Sequence, residues 1–177
     1  MASTAADAAS FVRMHIMRLT SYTDYTLRTL IFLGMNRDRL VTIQDIADNH
    51  LISKNHLMKV VYQLGTVDLV ETIRGRNGGL RLKKDPSEIN IGEVVRWTET
   101  DFHMAECFDR ENNKCVLSPA CTLQGVLVAA TRAFLGVLDA VTLDQLLVLD
   151  KGGKKKLMPS PVRLYPSLKP KAKAPAA

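Results

Sequence analysis

The sequence predicts a mainly α-helical protein built on a winged helix-turn-helix, followed by a cysteine-bearing loop and a long dimerisation helix. Three observations predict this fold. Two short amphipathic helical patterns are joined by a tight turn, a hairpin pattern with the glycine-rich turn RGRNGG follows them, and TLQGVLVAATRAFLGVLDAV has the apolar periodicity of one long helix.

The first helix is predicted within the segment RLTSYTDYTLRTLIFLGM. Ser21 stands three residues before Asp24, which is the spacing of a capping box at a helix N-terminus. Leu27, Leu30 and Ile31 then recur on one helical face. The segment is therefore expected to form a helix with one buried side.

Two shorter helices with their own caps are predicted next. Thr42 is expected to cap a second helix that ends near Asn49, and Ser53 to cap a third helix after the turn NHLI. The residues expected to be buried are Ile43, Ile46 and Ala47 in the second helix and Leu57, Val60, Val61 and Leu64 in the third. Leu69 to Arg74 and Leu80 to Lys83 alternate like strands, so that helix, turn, helix and hairpin together indicate a winged helix.

The third helix is the expected DNA-reading element. Its N-terminal half offers the polar residues Ser53, Lys54, Asn55, His56 and Lys59. In the major groove Asn55 or His56 could read a base, whereas the lysines are expected on phosphates. The wing tip is expected to probe the minor groove with Arg74, Gly75, Arg76 and Asn77. The alternative is an ordinary solvated helix face.

Charge is segregated along the chain. The net charge is +6, but the eight basic residues from Lys151 onward account for all of it. Residues 53–84 carry seven Lys or Arg against two acidic residues, and residues 85–150 carry four against eleven. One surface is therefore expected to bind a polyanion and another to be repelled by it.

The long helix, expected from about Thr122 to Ala140, carries a seam with alternating steps of four and three residues. Its members are Leu123, Leu127, Ala130, Phe134, Val137 and Val141. Such a seam predicts a homodimer with two-fold symmetry, suited to a pseudo-palindromic operator. A core helix within one chain is the alternative.

The remaining organisation follows from composition and spacing. The segment INIGEVVRWTE predicts a short amphipathic helix, and Thr142 with Gln145 predicts a capping box for another. We divide the chain into a disordered extension (1–16), the winged helix-turn-helix domain (17–84), a short helix with the cysteine loop (85–121), the dimerisation helix with a short C-terminal helix (122–150), and a basic disordered tail (151–177). No transmembrane segment or signal peptide is expected.

Cys107, Cys115 and Cys121 are the only cysteines, and they lie within fifteen residues in the run CFDRENNKCVLSPAC. Such close spacing on a polar loop predicts a metal site. Structural zinc and iron-sulfur clusters take four protein ligands, so one ligand must come from elsewhere. An odd count and a chain long enough to bury a core make a disulfide framework improbable. Three unconnected buried thiols are the alternative.

Four segments, MRLTSYTDYTLR, RGRNGGLRL, INIGEVVR and SPACTLQ, carry a resemblance to the iron-sulfur winged-helix transcription regulators of the NsrR and IscR type. The resemblance covers residues 17 to about 149. The chain is most similar to the NsrR branch, the nitric oxide-sensing repressors. The IscR branch has a histidine where this chain has Gln124.

The resemblance implies a 4Fe-4S cluster held by the three cysteines and by an aspartate from the opposite subunit, which maps onto Asp24. The first cysteine spacing is longer than is typical of the branch, so His103 and Glu106 compete for the fourth position. The resemblance also implies a repressor that acts in the bacterial cytoplasm on nucleoid DNA. It binds DNA with the cluster intact and releases it when nitric oxide attacks the iron held by the carboxylate.

Two other interpretations are open at this point. One keeps DNA binding but has an IscR-like, iron-responsive or thiol-based sensor with a 2Fe-2S cluster or none. The other is a structural zinc-binding interaction module with His103 joining the three cysteines as ligands. An enzyme is not expected, because the sequence has no phosphate-binding glycine loop, paired catalytic carboxylates or nucleophile motif.

Overall fold

The structure, a computed structural model, describes residues 18–147. The predicted N-terminal extension and the basic tail lie outside the described residues. The elements are helices α1 (Ser21–Met35), α2 (Ile43–His50) and α3 (Lys54–Thr66), strands β1 (Val70–Ile73) and β2 (Gly79–Leu82), and helices α4 (Ile91–Thr98), α5 (Thr122–Asp139) and α6 (Leu143–Leu146). Single 3-10 turns occur at Pro86–Glu88, Glu106–Phe108 and Ser118–Ala120.

The start of α1 differs from the prediction. Thr20 is the N-cap, and its hydroxyl accepts from the backbone N–H of Thr23 at 3.2 Å. Ser21 is already helical, so the predicted capping box between Ser21 and Asp24 is wrong. The physical reason is that an N-cap needs an extended ψ, which Thr20 adopts at 155°.

The caps predicted for α2 and α3 are confirmed. Thr42 and Asp45 form a reciprocal capping box, with hydrogen bonds of 2.9 and 3.1 Å. The Ser53 hydroxyl accepts from the backbone N–H of His56 at 3.4 Å. Between the two helices Leu51 adopts a left-handed conformation with φ of 55°, which turns the chain sharply at the end of α2.

The wing is an antiparallel hairpin in which Val70 pairs with Leu82 and Ile73 with Gly79. Strand β1 is one residue shorter than predicted at each end, and β2 has the predicted length but begins and ends one residue earlier. Val41, just before α2, forms an isolated antiparallel bridge with β2, because its backbone exchanges hydrogen bonds of 3.0 and 2.7 Å with Leu80. This pairing fixes the wing against the helix-turn-helix, and the winged-helix prediction is confirmed.

One hydrophobic core joins the helix-turn-helix, the wing and α4. Its most deeply buried members include Leu30, Val41, Ile46, Leu57, Leu64, Leu80 and Val95. After α5 the chain returns to this core, where Leu143 is fully buried and its N–H donates to the carbonyl of Ile89 at 2.9 Å. The winged helix and the C-terminal segment therefore share one interior.

Helix α5 has no buried residue. Along the predicted seam Leu123, Phe134 and Val137 are 59%, 40% and 65% exposed. The helix is anchored at its C-terminal end, where the Asn90 amide donates to the backbone carbonyl of Asp139 at 2.7 Å. The alternative of an internal core helix therefore does not describe α5 in this chain.

By length and composition α5 is also the one helix among residues 18–147 that could cross a membrane, with a mean hydropathy of 1.2. This finding is weak evidence for a membrane span, because a helix that packs on another protein chain has a similar composition. Its 18 residues are near the lower limit for a span and include Arg132.

Gly92 in α4 is the point of closest approach to the end of α5. A Cβ there would lie 2.8 Å from the backbone nitrogen of Asp139 and 3.0 Å from its Cα. We expect Gly92→Ala to lower the free energy of unfolding by about 1–3 kcal/mol, because α4 and α5 must separate to admit the methyl group. Urea denaturation measures this change. Gly65→Ala in α3 is the matched control, since a Cβ there meets only Val70 O at 3.8 Å, and its stability should be unchanged or slightly raised. An equal loss in both variants would contradict the packing argument.

Candidate nucleic-acid interface and metal centre

The N-terminal end of α3 presents the predicted DNA-reading residues to solvent. Lys54, Asn55, His56 and Lys59 are all exposed. Ser53 is exposed as well, but its hydroxyl already caps the helix. The structure therefore brings four exposed polar side chains together in the first half of α3, where a major groove could accept them.

The wing tip carries its two arginines without compensating charge. Arg74, Gly75, Arg76 and Asn77 are all exposed, and among residues 18–147 neither arginine forms an ion pair. By contrast, Arg81 in the same hairpin is paired with Glu71 at 2.8 Å. Gly75 has φ of 116°, a conformation that favours glycine, so the turn at the tip depends on this residue.

A groove of about 840 Å³ continues from this face along α3. It is lined by Tyr22, Asn55, Met58, Lys59, Tyr62, Gln63 and Trp97. Sequence reasoning missed Met58, Tyr62 and Gln63 as members of the exposed face. Helical spacing from Asn55 could have found them, because they stand three, seven and eight residues after it.

The first helix touches the recognition helix directly. The rings of Tyr25 and His56 lie 5.8 Å apart at their centroids, tilted by 33°. The residue before Tyr25 is Asp24, whose carboxylate holds Arg28 through contacts of 2.9 and 2.8 Å. Asp24, the predicted metal ligand on α1, is thus one position from a contact with α3, the helix predicted to read DNA.

His50, at the end of α2, lies beside the same ion pair. Burial lowers the pKa of its imidazole, the charge of Arg28 lowers it further, and the charge of Asp24 opposes both effects. Its ring packs edge-on against Phe32, with centroids 5.5 Å apart. A neutral imidazole therefore fits this position.

The three cysteines are free thiols on the loop between α4 and α5. Cys107 is buried, and Cys115 and Cys121 are half-buried. Cys121 is the N-cap residue of α5, and the Gln124 amide donates to the backbone carbonyl of Cys107 at 3.0 Å. The first and third cysteines are therefore fixed at the base of the loop. Gln124 holds the backbone of the loop in the position where the IscR branch has its histidine.

Polar side chains of the loop hold its shape. The Asn113 amide donates to Ser118 at 2.7 Å and its carbonyl accepts from the N–H of Cys115 at 3.0 Å. Asn112 donates to Asp109 from its side chain and its backbone, at 2.7 and 3.2 Å, and these bonds lower the pKa of the Asp109 carboxyl. Such local bonds order a loop without a hydrophobic core.

No four-ligand site is assembled within the described part of the chain. Within residues 18–147, no group of three or more His, Cys, Asp or Glu side chains is placed to hold a metal ion. Glu106 is occupied by the backbone N–H of Lys114 at 2.6 Å, and His103 lies 3.9 Å from Asp101. The sequence therefore identified donors that the structure of one subunit does not bring together.

Comparison with known proteins identifies the family of the chain. The model of the Rrf2 family, described as an iron-dependent transcriptional regulator, matches residues 19–148. The chain is 59% identical over 133 residues to the HTH-type transcriptional regulator NsrR of Bacillus licheniformis, covering 75% of this chain and 93% of that protein. It is 58% identical over 132 residues to the NsrR of Bacillus subtilis, covering 74% and 90%.

Solved structures show the same fold at low identity. The chain is similar to T. potens IscR with a TM-score of 0.60 at 20% identity, covering 74% of this chain and 86% of that one. It is similar to the oxidized form of Staphylococcus aureus CymR with a TM-score of 0.62 at 23% identity, covering 76% and 99%. The two NsrR proteins and the family model are those of transcriptional regulators, which confirms the resemblance and the expectation that the chain is not an enzyme. On the match over residues 19–148 and the identity to the two NsrR proteins, the chain belongs to the Rrf2 family of iron-dependent transcriptional regulators.

Proposed function

We propose that the protein is a dimeric repressor that senses nitric oxide through a 4Fe-4S cluster and releases its operator when the cluster reacts. The observation that carries the proposal is that residues 18–147 expose two wing-tip arginines without ion pairs together with a polar helix end, and place three free thiols on one loop. The arginines and the polar helix end suit a nucleic acid, and the thiols suit iron. We expect it to act on nucleoid DNA in the bacterial cytoplasm.

DNA binding would use the two exposed elements together. Asn55 and His56 lie at the end of α3 that enters a major groove in winged helices, and Lys54 and Lys59 flank them for phosphate contacts. The free guanidinium groups of Arg74 and Arg76 suit the negative potential of a minor groove. Because neither arginine has to leave an ion pair in the described structure, their transfer to DNA carries no such cost.

We expect the double variant Arg74→Ala with Arg76→Ala to weaken binding to all DNA sequences and to lower the salt dependence. Each lost phosphate contact should reduce the slope of log K against log salt by about one. Fluorescence anisotropy over a salt series measures both effects. Arg81→Ala is the matched control, because Arg81 lies in the same hairpin but is paired with Glu71. An equal loss with Arg81→Ala would argue against a specific role for the tip.

Helix α5 supports the dimer. An unburied apolar helix is costly in water, at about 25 cal/mol for each Å² of apolar surface left exposed. The seam residues Leu123, Phe134 and Val137 lie along this surface. Ala130 is also exposed, whereas Leu127 and Val141 are half-buried. Pairing with the same helix of a second subunit would cover the seam and place two recognition helices for a pseudo-palindromic operator.

The seam predicts that Val137→Glu will weaken dimerisation by about 30-fold or more, since a buried charge at an interface centre costs about 2 kcal/mol or more. Sedimentation equilibrium measures the dissociation constant. Leu51→Glu is the control, because Leu51 is 93% exposed at the turn after α2 and lies away from the seam. A Val137→Glu protein that stays dimeric would contradict the seam.

The three cysteine thiols are of the chemical type that binds an iron cluster, but a cluster takes four ligands and one more is needed. Thiolates are the ligands that iron-sulfur clusters prefer, and all three cysteines are unpaired. We propose that the partner subunit's Asp24 completes the set. A ligand given to another subunit would stand apart from the cysteines of its own chain, and Asp24 belongs to no metal-binding group within residues 18–147.

Three thiolates and one carboxylate would hold the cluster. The iron bound by the carboxylate would have the weaker protein ligand and would be the iron most open to nitric oxide. The chain's own residues would transmit the event. Asp24 has two competing partners, Arg28 in its own chain and the cysteine loop of the other subunit. Its neighbour Tyr25 lies against His56 on the recognition helix, so a shift of α1 would alter the DNA-reading surface.

Asp24→Ala is expected to lose the 4Fe-4S mass in native mass spectrometry of anaerobically purified protein, with cluster retention falling by about tenfold or more. Arg28→Ala is the matched control, because it breaks the same ion pair but keeps the carboxylate, and it should keep the cluster. His103→Ala and Glu106→Ala test the competing ligands. A cluster that survives Asp24→Ala but not His103→Ala would overturn the assignment, and a 2Fe-2S mass in the wild type would select the IscR-like sensor.

A further inference from the structure

A single side chain ties the start of α1 to the cysteine loop of the same subunit. Glu99 Oε1 accepts from the backbone N–H of Thr20 at 2.8 Å and from its hydroxyl at 3.2 Å. In the described part of the chain these are the hydrogen bonds that join α1 or its cap to the segment from Glu99 to Cys121. The two residues are 79 positions apart in sequence. The contact is therefore a product of the tertiary fold.

Thr20 controls the geometry of the first turn of α1. It is the N-cap residue, and its hydroxyl accepts from the N–H of Thr23 at 3.2 Å. Its backbone carbonyl accepts directly from the N–H of Asp24 at 3.0 Å. The position of Thr20 therefore sets the position of Asp24. A carboxylate at this helix end is also favoured by the partial positive charge of the exposed N–H groups.

Glu99 stands at the stem of the cysteine loop. Its backbone N–H closes α4 on the carbonyl of Val95 at 2.9 Å, and Cys107 follows eight residues later. Beside the stem is a cavity of about 530 Å³, bordered by Thr20, the stem residues 99–104 and Phe134 of α5. Because no side chain of residues 18–147 fills this space, the stem has room to shift within the described structure, and the Glu99 to Thr20 contact would carry that shift to α1.

We propose that Glu99 is a positioning residue that couples the two metal sites of the dimer. The inference depends on the function proposed above, in which Asp24 completes the site of the other subunit. Each subunit's cysteine loop is then linked, through Glu99 and Thr20, to the ligand that the same subunit gives to its partner. A loop that has released its iron moves its stem, and Asp24 moves with it. The two sites therefore fill and empty together.

The test is the distribution of cluster occupancy during partial loss. Anaerobic holoprotein is treated with an iron chelator, and native mass spectrometry counts dimers with two, one or no clusters. Independent sites would give roughly half of the dimers one cluster at the midpoint, and coupled sites give clearly fewer. Wild type is expected at about a quarter or less. Glu99→Ala should approach half, and Glu99→Gln should match wild type because its amide oxygen still accepts both hydrogen bonds.

A second readout needs no cluster. In iron-free protein, amide hydrogen exchange at Thr20 should be faster in Glu99→Ala than in wild type and unchanged in Glu99→Gln. Should Glu99→Ala fail to fold, Glu99→Asp keeps the charge but shortens the reach by a methylene, and the same changes are expected. A wild type with independent sites would overturn the proposal, as would a Glu99→Ala protein with the wild-type distribution.

The results for Asp24→Ala and Glu99→Ala together distinguish a wrong ligand assignment from a missing coupling. Asp24→Ala that keeps the cluster removes the ligand assignment and the coupling with it. Asp24→Ala that loses the cluster, together with an unchanged distribution in Glu99→Ala, overturns the coupling alone.

Discussion

The packing of α1 into the centre of the fold is the constraint on which the rest of the structure depends. One face of α1 is completely buried and consists of Thr23, Thr26, Thr29, Leu30 and Leu33. The Thr26 hydroxyl is satisfied within the helix by the carbonyl of Tyr22 at 2.8 Å, which allows a polar side chain to be buried there. Since α3, α4 and α6 all pack on α1, a displacement of this helix cannot stay local.

This arrangement connects the proposed sensor ligand to α3, the helix proposed to read DNA, through the single helix α1. Asp24 and Tyr25 are adjacent on α1, yet one holds Arg28 and the other lies against His56 of α3. Close-packed cores transmit small displacements because their side chains have no free space into which to relax. In the proposed function, α1 connects the metal site to the DNA-binding surface of α3.

The cysteine loop differs from the core in what holds it together. Cys107 is buried, but the loop otherwise depends on hydrogen bonds from Asn112 and Asn113 and on the Gln124 contact at its base. Segments with few buried apolar contacts open at low cost in free energy. A loop of this kind would adjust to the proposed metal cluster, while the winged helix beside it would keep its shape. The stem at Glu99 is where the two regions meet.

The sequence by itself determined the local structure of this protein. Helical periodicity, the caps at Thr42 and Ser53 and the glycine-rich wing turn predicted the winged helix, because each depends on residues a few positions apart. It also identified the free thiols and the wing arginines, whose chemistry belongs to the residues themselves. The cap of α1 was misplaced by one residue, since Thr20 and Ser21 both have a suitable hydroxyl and only the backbone conformation selects between them. Tertiary structure alone decided which distant groups meet, such as Tyr25 with His56 and Glu99 with Thr20, and left α5 without a fully buried residue among residues 18–147. The physical reason is that such contacts depend on how whole helices pack. The pattern of apolar and polar residues within one segment does not determine which other segment packs against it.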